Sequence, residues 1–489
     1  MPFDCEIEGF NRVHFIGIGG IGMSGIASVA KSQGMEVSGS DLKDSKVARA
    51  LRKQGIDVRI GHSAKTIEEI DPEVVVISSA IPERNPELRW ARERGVPVWA
   101  RAQMLAYVCR SKKILAVAGT HGKTTTSSIL ASAMVKLDAD PSFLVGGIID
   151  GHDTNARYGS GDACVIEADE SDGSFIYVTP YIAIVTNIEE DHLDHYGNLD
   201  AIKSAFADFL GAIPADGLAI VCADCEGLVE LAKGAAKCDV VSYGFGSDAD
   251  IKVTANDDGS CIAGFKSGQA KIKLGSNPGT HNMLNATAAV IALEKMGYTS
   301  EKAAEAVSAF SGVRRRFDLV GKCNGITVID DYGHHPTEIR ATLKAASSMG
   351  FNRTIVLFQP HRYSRTQALA DQFATAFDDA DYVAVMDVYS AGEAPIPGIT
   401  GKTIVDAVKS HDPAKSIDWF EGRADVVDRI VAILQPGDLI FTMGAGDITA
   451  IGPQILEALE SPEYTTDTSH ILKNPTGFQI REPLEGAEE

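Results

Sequence analysis

The chain has 489 residues, of which 44% are hydrophobic, so it is long enough to form several domains with substantial cores. Its formal net charge is −22, and this acidic balance argues against a nucleic-acid partner and against an anionic membrane surface. No apolar run of about 18 residues is present for membrane insertion, and the acidic residues 1–11 lack the apolar stretch of a signal peptide. The eight cysteines are scattered and expected to be free thiols, so these features together predict a cytoplasmic protein.

Apolar runs typical of buried strands alternate with helical patterns along the chain, which predicts an α/β fold with mainly parallel sheets. The main predicted strands are Val13–Ile18, Val74–Ser79, Ile114–Ala118, Ala163–Glu167, Ile182–Thr186, Ile326–Asp330, Thr354–Phe358, Val383–Val388 and Asp438–Met443. The segment 246–275 alternates apolar residues with Asp, Lys and Gly and predicts an antiparallel excursion. The tail after Ser461 is rich in charge, Pro and Thr and is expected to be mobile.

The first predicted strand ends in a glycine-rich turn, Gly17-Ile18-Gly19-Gly20-Ile21-Gly22, which fits the pattern G-x-G-x-x-G. This pattern is typical of a pyrophosphate site at a helix start, and an acidic residue after the next strand can contact a ribose. NAD and a UDP-sugar both fit, and tight packing without a ligand is the alternative. Because a second nucleotide site follows, we favour a nucleotide-linked substrate. The expected contacts are Gly17, Gly19, Gly20, Gly22 and Asp41.

A second glycine-containing turn lies between the apolar run 114–118 and a predicted helix over 125–137. Its backbone N–H groups and the helix start favour a polyphosphate, while Lys123 adds a cation and Thr124 a hydroxyl that can ligate Mg²⁺. Val117 occupies a position at which the longer phosphate-loop pattern has glycine. A turn without a ligand is the alternative, but strand, loop, Lys-Thr and helix in this order predict an ATP or GTP site. Its residues are Gly119, Thr120, His121, Gly122, Lys123, Thr124 and Thr125.

Two acidic loops follow predicted strands in the same region. The first, residues 167–172, contains Glu170 among four carboxylates that a divalent cation would stabilise, although a solvent-exposed acidic turn explains it equally well when taken alone. The second, residues 186–195, contains His192 and His195. Because loops at the carboxyl ends of parallel strands meet, we expect both loops beside Lys123. Zinc on the histidines is an alternative, but ATP chemistry favours Mg²⁺.

Two further groups are expected to contact the nucleotide. Asn282 and Asn285 share one face of a predicted helix, where their amides can bind a base edge or cap the helix. The run Arg314-Arg315-Arg316 stands at the start of a third block of strands and helices. Its guanidinium groups can neutralise a transferring phosphate, and a solvated charge run is the alternative.

The third block carries the signals of a small-carboxylate pocket. The segments 330–336 and 359–366 each follow a predicted strand and contain histidines. Arg362 and Arg365 are close enough along the chain for one helical turn to aim both side chains in the same direction. In a chain this acidic, such a pair indicates a built anion site.

Together these motifs resemble the Mur ligases, the amino-acid ligases of peptidoglycan precursors. The resemblance extends from about Val13 to Gly446 and is carried by residues 17–25, 119–125, 330–338 and 358–362. The family carries a shorter G-T-x-G-K-T phosphate loop, which accounts for Val117.

The resemblance implies a three-domain α/β architecture. The expected domains are a Rossmann-like UDP-substrate domain over residues 1–110, a central P-loop ATPase-type domain over 111–313, and a C-terminal Rossmann-like domain for the amino acid over 314–489. It further implies ATP-dependent ligation of L-alanine to UDP-N-acetylmuramate through an acyl phosphate, with Mg²⁺ as cofactor, by a monomer or homodimer. Under this resemblance the first glycine turn holds a UDP pyrophosphate rather than NAD.

The resemblance also implies roles for individual residues. Catalytic roles are implied for Lys123, His192 and Arg316, and Mg²⁺ ligation for Thr124, Glu170 and His192. Further ATP contacts are implied for Asn282 and Asn285 at the adenine, Arg315 or Arg316 at a phosphate, and Asp331 at the ribose. The UDP-substrate site gains Asp41, His62 and Ser79, and the L-alanine pocket comprises Tyr332, His334, His361, Arg362 and Arg365. Some relatives carry a carbamylated lysine near the metals. Lys203 lies in the corresponding region, but its register does not match and no role is assigned.

Overall fold

The computed structural model describes residues 9–171, 173–191, 193–275 and 277–461. Three β-sheets with flanking helices follow one another along the chain and are divided between two compact units. The first unit comprises Met1–Ser276 and Thr280–Ser311, and the second comprises Asn277–Gly279 and Gly312–Glu489. Among the described residues, no helix is both long and apolar enough to cross a bilayer.

The first unit begins with a five-stranded parallel sheet. Its strands are β1 (Arg12–Ile16), β2 (Glu36–Asp41), β3 (Asp57–Ile60), β4 (Val74–Ile77) and β5 (Val98–Ala100). Its helices are α1 (Ile21–Ser32), α2 (Lys46–Lys53), α3 (Ala64–Ile70), α4 (Pro86–Glu93) and α5 (Arg101–Cys109). The strand order is β3-β2-β1-β4-β5, so the chain reverses its direction of progress between β3 and β4, beside β1. Ligands bind in open α/β sheets at such a switch point.

A ten-stranded sheet completes the first unit. Its strands are β6 (Lys113–Ala118), β7 (Ser142–Ile149), β8 (Thr154–Arg157), β9 (Ala163–Glu167), β10 (Ile182–Val185), β11 (Leu218–Cys222), β12 (Asp239–Gly244), β13 (Ile251–Ala255), β14 (Cys261–Phe265) and β15 (Gly268–Ile272). Its helices are α6 (Lys123–Lys136), α7 (Leu193–Tyr196), α8 (Leu199–Gly211), α9 (Leu228–Ala235), α10 (Thr280–Lys295) and α11 (Ser300–Ser308). The strand order is β15-β14-β13-β12-β11-β10-β6-β9-β7-β8, and one buried core joins both sheets through residues such as Phe15, Leu144 and Ile166.

The second unit is built on a six-stranded sheet. Its strands are β16 (Asp318–Cys323), β17 (Ile326–Asp331), β18 (Arg353–Phe358), β19 (Tyr382–Met386), β20 (Ile417–Phe420) and β21 (Asp438–Met443). Its helices are α12 (Pro336–Ser347), α13 (Tyr363–Ala368), α14 (Ala370–Phe373), α15 (Gly401–His411), α16 (Val426–Val431) and α17 (Ile451–Glu460). The strand order is β16-β17-β21-β18-β19-β20. Among the described strands of this sheet, only β16 and β17 pair antiparallel. Separate apolar clusters cover the two faces of this sheet.

The three-domain α/β architecture expected from the sequence is confirmed. The excursion predicted over 246–275 is the antiparallel set β13–β15, whereas the antiparallel hairpin of β7 and β8 was not predicted. The first predicted strand ends early, at Ile16, because Gly17 has a φ of 78° that turns the chain. The boundary near 313 lies beside the division of the two units, and the boundary near 110 falls between two sheets of one unit. The tail after Ser461 lies outside the described residues.

Candidate functional site

The glycine turn after β1 is closed by contacts with the end of β2. The carbonyl oxygen of Ser40 accepts a hydrogen bond from the amide of Gly17 at 2.8 Å. The carboxylate of Asp41 accepts one from the amide of Gly19 at 2.9 Å, so this acid holds the turn itself. Helix α1 follows with Gly20 as its N-cap, and no side chain within the described residues caps it. The first-turn N–H groups of α1 are therefore suited to an anion.

The other residues predicted for the UDP-substrate site lie at the same edge of the first sheet. His62 follows β3, and its Nδ1 is 2.9 Å from the hydroxyl of Ser40. Ser79 is exposed in the turn after β4, the strand that pairs with β1. The carboxyl ends of parallel strands thus bring both residues to the edge that carries the glycine turn.

The loop between β6 and α6 is held by the residues that follow β10. The amides of Thr120 and His121 donate to the carbonyl oxygen and Oδ1 of Asn187, at 3.1 and 2.9 Å. Nδ2 of Asn187 and the hydroxyl of Thr186 donate back to the carbonyl oxygen of His121, at 3.1 and 2.5 Å. The hydroxyl of Thr120 also accepts the amide of Glu189 at 2.9 Å. The predicted convergence of these two loops is confirmed.

Two glycines of this loop occupy positions that a larger residue does not fit. Gly119 has a φ of 127°, and a Cβ there would lie 2.2 Å from Oγ1 of Thr186. Gly122 has a φ of 84°, and a Cβ there would lie 2.9 Å from Oδ1 of Asn285. Nδ2 of Asn285 donates to Oδ1 of Asn282 at 3.0 Å. The predicted amide pair therefore lies beside the phosphate loop, inside α10 rather than at its N-cap.

Lys123 opens helix α6 and folds back over the loop. Its Nζ is 2.6 Å from the carbonyl oxygen of Gly119 and 2.8 Å from Oε1 of Glu170, which follows β9. Burial lowers the pKa of Lys123, but the charges of Glu170 and Asp169 outweigh this effect and raise the pKa above its ordinary value. Burial raises the pKa of Glu170 to about 7, although the Lys123 ammonium opposes the change. The pair therefore places a cation at the phosphate site, held by a carboxylate that burial makes harder to ionise.

The side chains around Glu170 fit a divalent cation. Its second carboxylate oxygen, Oε2, is buried and has no hydrogen-bond partner within the described residues. A buried carboxylate oxygen without a donor is costly unless a cation binds it. Thr124 and Thr125 are also buried in the first turn of α6, and hydroxyl and carboxylate oxygens are ligands that Mg²⁺ prefers. His192, a predicted Mg²⁺ ligand and catalytic residue, lies outside the described residues.

The carboxylates of the first acidic loop lie around Lys123: burial lowers the pKa of this side chain, and the charges of Glu170, Asp169 and Glu167 each raise it. Glu167 accepts the amide of Gly146 at 2.8 Å, and Asp169 pairs with Arg101 at 3.1 Å. Burial and the negative charge of Asp169 both raise the pKa of Glu170, so the like-charge repulsion expected within this loop is present. Asp172 lies outside the described residues.

Arg101 was not predicted, yet it lies between the two glycine turns. It opens helix α5 and pairs with Asp169, the residue before Glu170. A Cβ on Gly22 would lie 3.3 Å from both Cδ and Nη1 of Arg101, so this side chain passes against the first turn of α1. The 68 positions that separate Arg101 from Asp169 leave no local pattern from which the contact could be predicted.

In the second unit, Arg315 and Arg316 have different surroundings. Nη2 of Arg315 donates to the carbonyl oxygens of Gly444 at 2.6 Å and Gly446 at 3.2 Å, and its Nε lies 3.2 Å from Asp330. Arg316 lies 3.5 Å from the carboxylate of Glu338. Both arginines thus have partners within their own unit, and the phosphate contact of Arg316, with Arg315 as the alternative, stays a prediction.

Asp331 orders the loop that follows β17. Its carboxylate accepts the amides of Phe317 at 2.8 Å and Gly333 at 2.7 Å, and burial raises its pKa to about 6. Within the same loop, Nδ1 of His334 lies 3.1 Å from the carbonyl oxygen of Tyr332. The contacts predicted between ATP and Asp331 or Arg316 stay predictions.

The residues predicted for the alanine pocket form one cluster. The ring of His361 lies 5.6 Å from that of His334, and Nη1 of Arg365 is 3.4 Å from Nδ1 of His361. Burial, followed by the charges of Arg365 and Arg362, lowers the pKa of His361 to about 4. Arg362 has a φ of 70° and pairs with Glu393 at 3.1 Å, a partner not expected from the sequence. Strained backbone of this kind is enriched at ligand sites.

Three family models match successive parts of the chain. The Mur ligase family, catalytic domain, matches residues 12–113. The Mur ligase middle domain matches residues 117–293, and the Mur ligase, glutamate ligase domain, matches residues 315–446.

Curated relatives are similar over almost the whole chain. The UDP-N-acetylmuramate--L-alanine ligase of Geobacter sp. (strain M21) is 45% identical over 456 residues, which cover 92% of this chain and 98% of that protein. The protein of the same name from Myxococcus xanthus (strain DK1622) is 44% identical over 460 residues, which cover 93% of this chain and 97% of that protein.

Two solved structures share the fold over a similar extent. The UDP-N-acetylmuramate-alanine ligase of Thermotoga maritima superposes with a TM-score of 0.75 at 32% identity, covering 91% of this chain and 98% of that one. A murein peptide ligase of Psychrobacter arcticus 273-4 superposes with a TM-score of 0.71 at 26% identity, covering 92% of this chain and 99% of that one.

Proposed function

The chain belongs to the Mur ligase family, and we propose that it joins L-alanine to UDP-N-acetylmuramate in peptidoglycan precursor synthesis, converting ATP to ADP and phosphate. The observation that carries this proposal is the pairing of two anion sites within the first unit. One lies at the start of α1 and the other at the start of α6, and the Arg101–Asp169 ion pair lies between them. A dinucleotide enzyme needs only the first site, whereas a ligase that phosphorylates a nucleotide-linked acid needs both.

The proposed chemistry proceeds in two steps. The muramoyl carboxylate attacks the γ-phosphate of ATP, the bond to the β-phosphate breaks, and an acyl phosphate and ADP result. The alanine amine then attacks the acyl carbon, and phosphate leaves the tetrahedral intermediate as the amide forms. Phosphate is a much better leaving group than hydroxide, so ATP turns an unfavourable condensation into a favourable one.

Lys123 neutralises charge on the transferring phosphoryl group. Its Nζ already lies among the oxygens of Gly119, Thr120 and Glu170, and a bound γ-phosphate would offer a stronger anionic partner. Thr124 and Glu170, with His192 as the predicted additional ligand, would hold Mg²⁺, whose charge stabilises the phosphate oxygens.

The second unit supplies the amino-acid pocket. We assign the alanine carboxylate to Arg362 and Arg365, because guanidinium groups bind carboxylates through charge-assisted hydrogen bonds. The neutral ring of His361 beside Arg365 leaves the cationic charge of the pocket with the two arginines. Both proposed nucleotides are cytoplasmic metabolites, so we place the reaction in the cytoplasm. A monomer or homodimer stays a prediction.

Release of phosphate with each substrate omitted in turn tests this function. We expect phosphate and ADP only when Mg²⁺, ATP, UDP-N-acetylmuramate and L-alanine are all present, together with the new amide by mass spectrometry. A parallel reaction replaces L-alanine with the tripeptide L-Ala-γ-D-Glu-meso-diaminopimelate. Turnover with the tripeptide and none with alanine would assign the chain to peptide recycling instead.

A further inference from the structure

A buried polar network lies directly beneath the glycine turn after β1. Ser40 connects the two: its carbonyl oxygen accepts the amides of Gly17 and Ile18, at 2.8 and 3.0 Å. Its hydroxyl contacts both Nδ1 of His62, at 2.9 Å, and the carboxylate of Glu87. A change in this network therefore reaches the backbone that forms the first nucleotide site.

Glu87 is the centre of this network. It lies in the first turn of α4 and is 0% exposed. Its Oε1 accepts the amide of Ser63 at 3.0 Å, while Oε2 lies 3.3 Å from Nδ1 of His62 and 3.6 Å from Nε2 of the equally buried His14. Removing a carboxylate from water costs several kcal/mol, which burial of an apolar side chain at this position would avoid. The position of Glu87 therefore calls for a reason other than stability.

The direction of the hydrogen bonds fixes the proton on His62. An ionised Glu87 can only accept, so the hydroxyl of Ser40 donates to it and the Ser40 oxygen is left to accept from His62. Nδ1 of His62 then carries the proton, whether it donates to Ser40 or to Glu87. In the neutral ring Nε2 is an acceptor, and within the described residues it makes no hydrogen bond. The side chain of His62 is 12% exposed, so a ligand can reach it.

We propose that Glu87 is a positioning residue for the UDP-linked substrate. Acting directly and through Ser40, it holds His62 in the Nδ1–H tautomer so that Nε2 accepts a hydrogen bond from the uridine moiety. The donor is a ribose hydroxyl or the N–H of the uracil ring. An acceptor nitrogen does not bind a phosphate oxyanion, so the diphosphate stays with the amides at the start of α1. This inference rests on the proposed function, because it assumes that the first site binds a UDP-linked acid.

Kinetics of Glu87→Gln and Ser40→Ala test the positioning role. Each variant is expected to raise the KM for UDP-N-acetylmuramate about tenfold, the loss typical of a misplaced partner beside a ligand. The kcat and the KM values for ATP and alanine should stay within about twofold of the wild type, since the phosphate loop is built by other residues. Asp438→Asn is the matched control, because Asp438 is a buried acid paired with Arg353 at 2.5 Å in the second unit. This control should leave the KM for the UDP substrate unchanged.

A double-mutant cycle separates positioning from a general structural effect. If Glu87 acts through His62, then Glu87→Gln combined with His62→Gln is no worse for the UDP-substrate KM than His62→Gln alone. Fully additive losses, or equal losses in all three KM values, would overturn the proposal. If Glu87→Gln does not fold, the same cycle is run with Ser40→Ala, which removes the linking hydroxyl and leaves the carboxylate in place.

Nitrogen NMR of the histidine rings reports the tautomer directly. The chain has 12 histidines, and the His62 signals are those missing from His62→Gln. We expect the Nδ1–H pattern in the wild type and a shift toward Nε2–H in Glu87→Gln, which removes the carboxylate, and an Nε2–H ring in the wild type would refute the assignment. UDP, 2′-deoxy-UDP and N3-methyl-UDP then serve as binding probes. The analogue that loses affinity for the wild type, but not for His62→Gln, identifies the donor, and equal losses on both proteins would contradict a uridine contact.

Failure of this inference is distinguishable from failure of the proposed function. A wild type that ligates alanine while Glu87→Gln and Ser40→Ala behave normally refutes the role of Glu87 alone. A wild type that releases no phosphate with all substrates present refutes the ligase assignment itself.

Discussion

Lys123 is the side chain on which phosphoryl transfer depends most directly. We predict that Lys123→Ala lowers kcat by about 1000-fold, because it removes the positive charge nearest the transferring group. Binding of the UDP substrate should stay within about threefold of the wild type, since that site lies on the first sheet. Coupled ADP release and titration calorimetry measure the two effects. Lys136→Ala, at the exposed end of the same helix, is the charge-matched control and should be silent.

Arg362 is the residue that we expect to set the affinity for alanine. Arg362→Ala should raise the KM for L-alanine by about 100-fold, because the charge-assisted pair with the alanine carboxylate is lost, and Glu393 loses this ion pair while it keeps its hydrogen bonds from Ser364. The KM for ATP should change little. Lys344→Ala, an exposed cation on α12 of the same unit, is the control. An unaltered alanine dependence in Arg362→Ala would remove this residue from the pocket.

Individual site residues differ in how far the sequence could predict them. Lys123 and Gly119 belong to a short contiguous pattern whose chemistry is local, so their positions could be predicted. The roles of Arg101 and Glu87 could not be predicted, because each contacts a residue that is distant in the sequence, Asp169 and Ser40 respectively. No sequence spacing marks either contact. Asp41 was expected at a ribose, whereas its carboxylate is seen to hold the amide of Gly19.

The phosphate loop depends on a second element, the segment after β10. We predict that Asn187→Ala raises the KM for ATP about tenfold, because the amide of His121 loses its acceptor and the loop is no longer held in place. Steady-state kinetics with varied ATP measure this change. Asn198→Ala provides a control of equal chemistry, since Asn198 caps α8 by accepting the amide of Ala201 at 2.9 Å. That variant should lose about 1 kcal/mol of stability while keeping its affinity for ATP.

Elements with continuous apolar runs were predictable, and edge elements were not. The strands β9 and β21 lie where the sequence predicts them, because buried parallel strands consist almost entirely of apolar residues. The hairpin of β7 and β8 was missed because β8 is a short edge strand without apolar alternation, although Asp150-Gly151 before it is a turn signal. Sheet order depends on contacts between distant segments, which one sequence does not reveal.

At the scale of the whole molecule, the free energy of unfolding of the second unit depends on pH through buried groups whose effects oppose one another. Burial lowers the pKa of His334, and burial with Arg365 lowers the pKa of His361 to about 4. Below about pH 6.5 the unfolded chain takes up protons on these two rings, whereas the folded chain keeps them neutral. The stabilisation that the neutral rings contribute is therefore lost as the pH falls from about 6.5 through the folded pKa values. Asp331 opposes this trend, because burial raises its pKa to about 6 and its contribution is lost as the pH rises.

Comparison of the wild type with His334→Gln/His361→Gln isolates the histidine contribution, since Asp331 is common to both. Between pH 6.5 and 5 we expect the free energy of unfolding of the second unit to fall by about 1–2 kcal/mol more per histidine in the wild type. Trp419 reports this unit when Trp90 and Trp99, the remaining two of three tryptophans, are replaced by Phe. Urea unfolding followed at Trp419 over this pH range measures the difference, and His411→Gln, at an exposed site, should behave as the wild type. Parallel pH curves for the wild type and the double variant would show that the two rings are protonated alike in the folded and unfolded states.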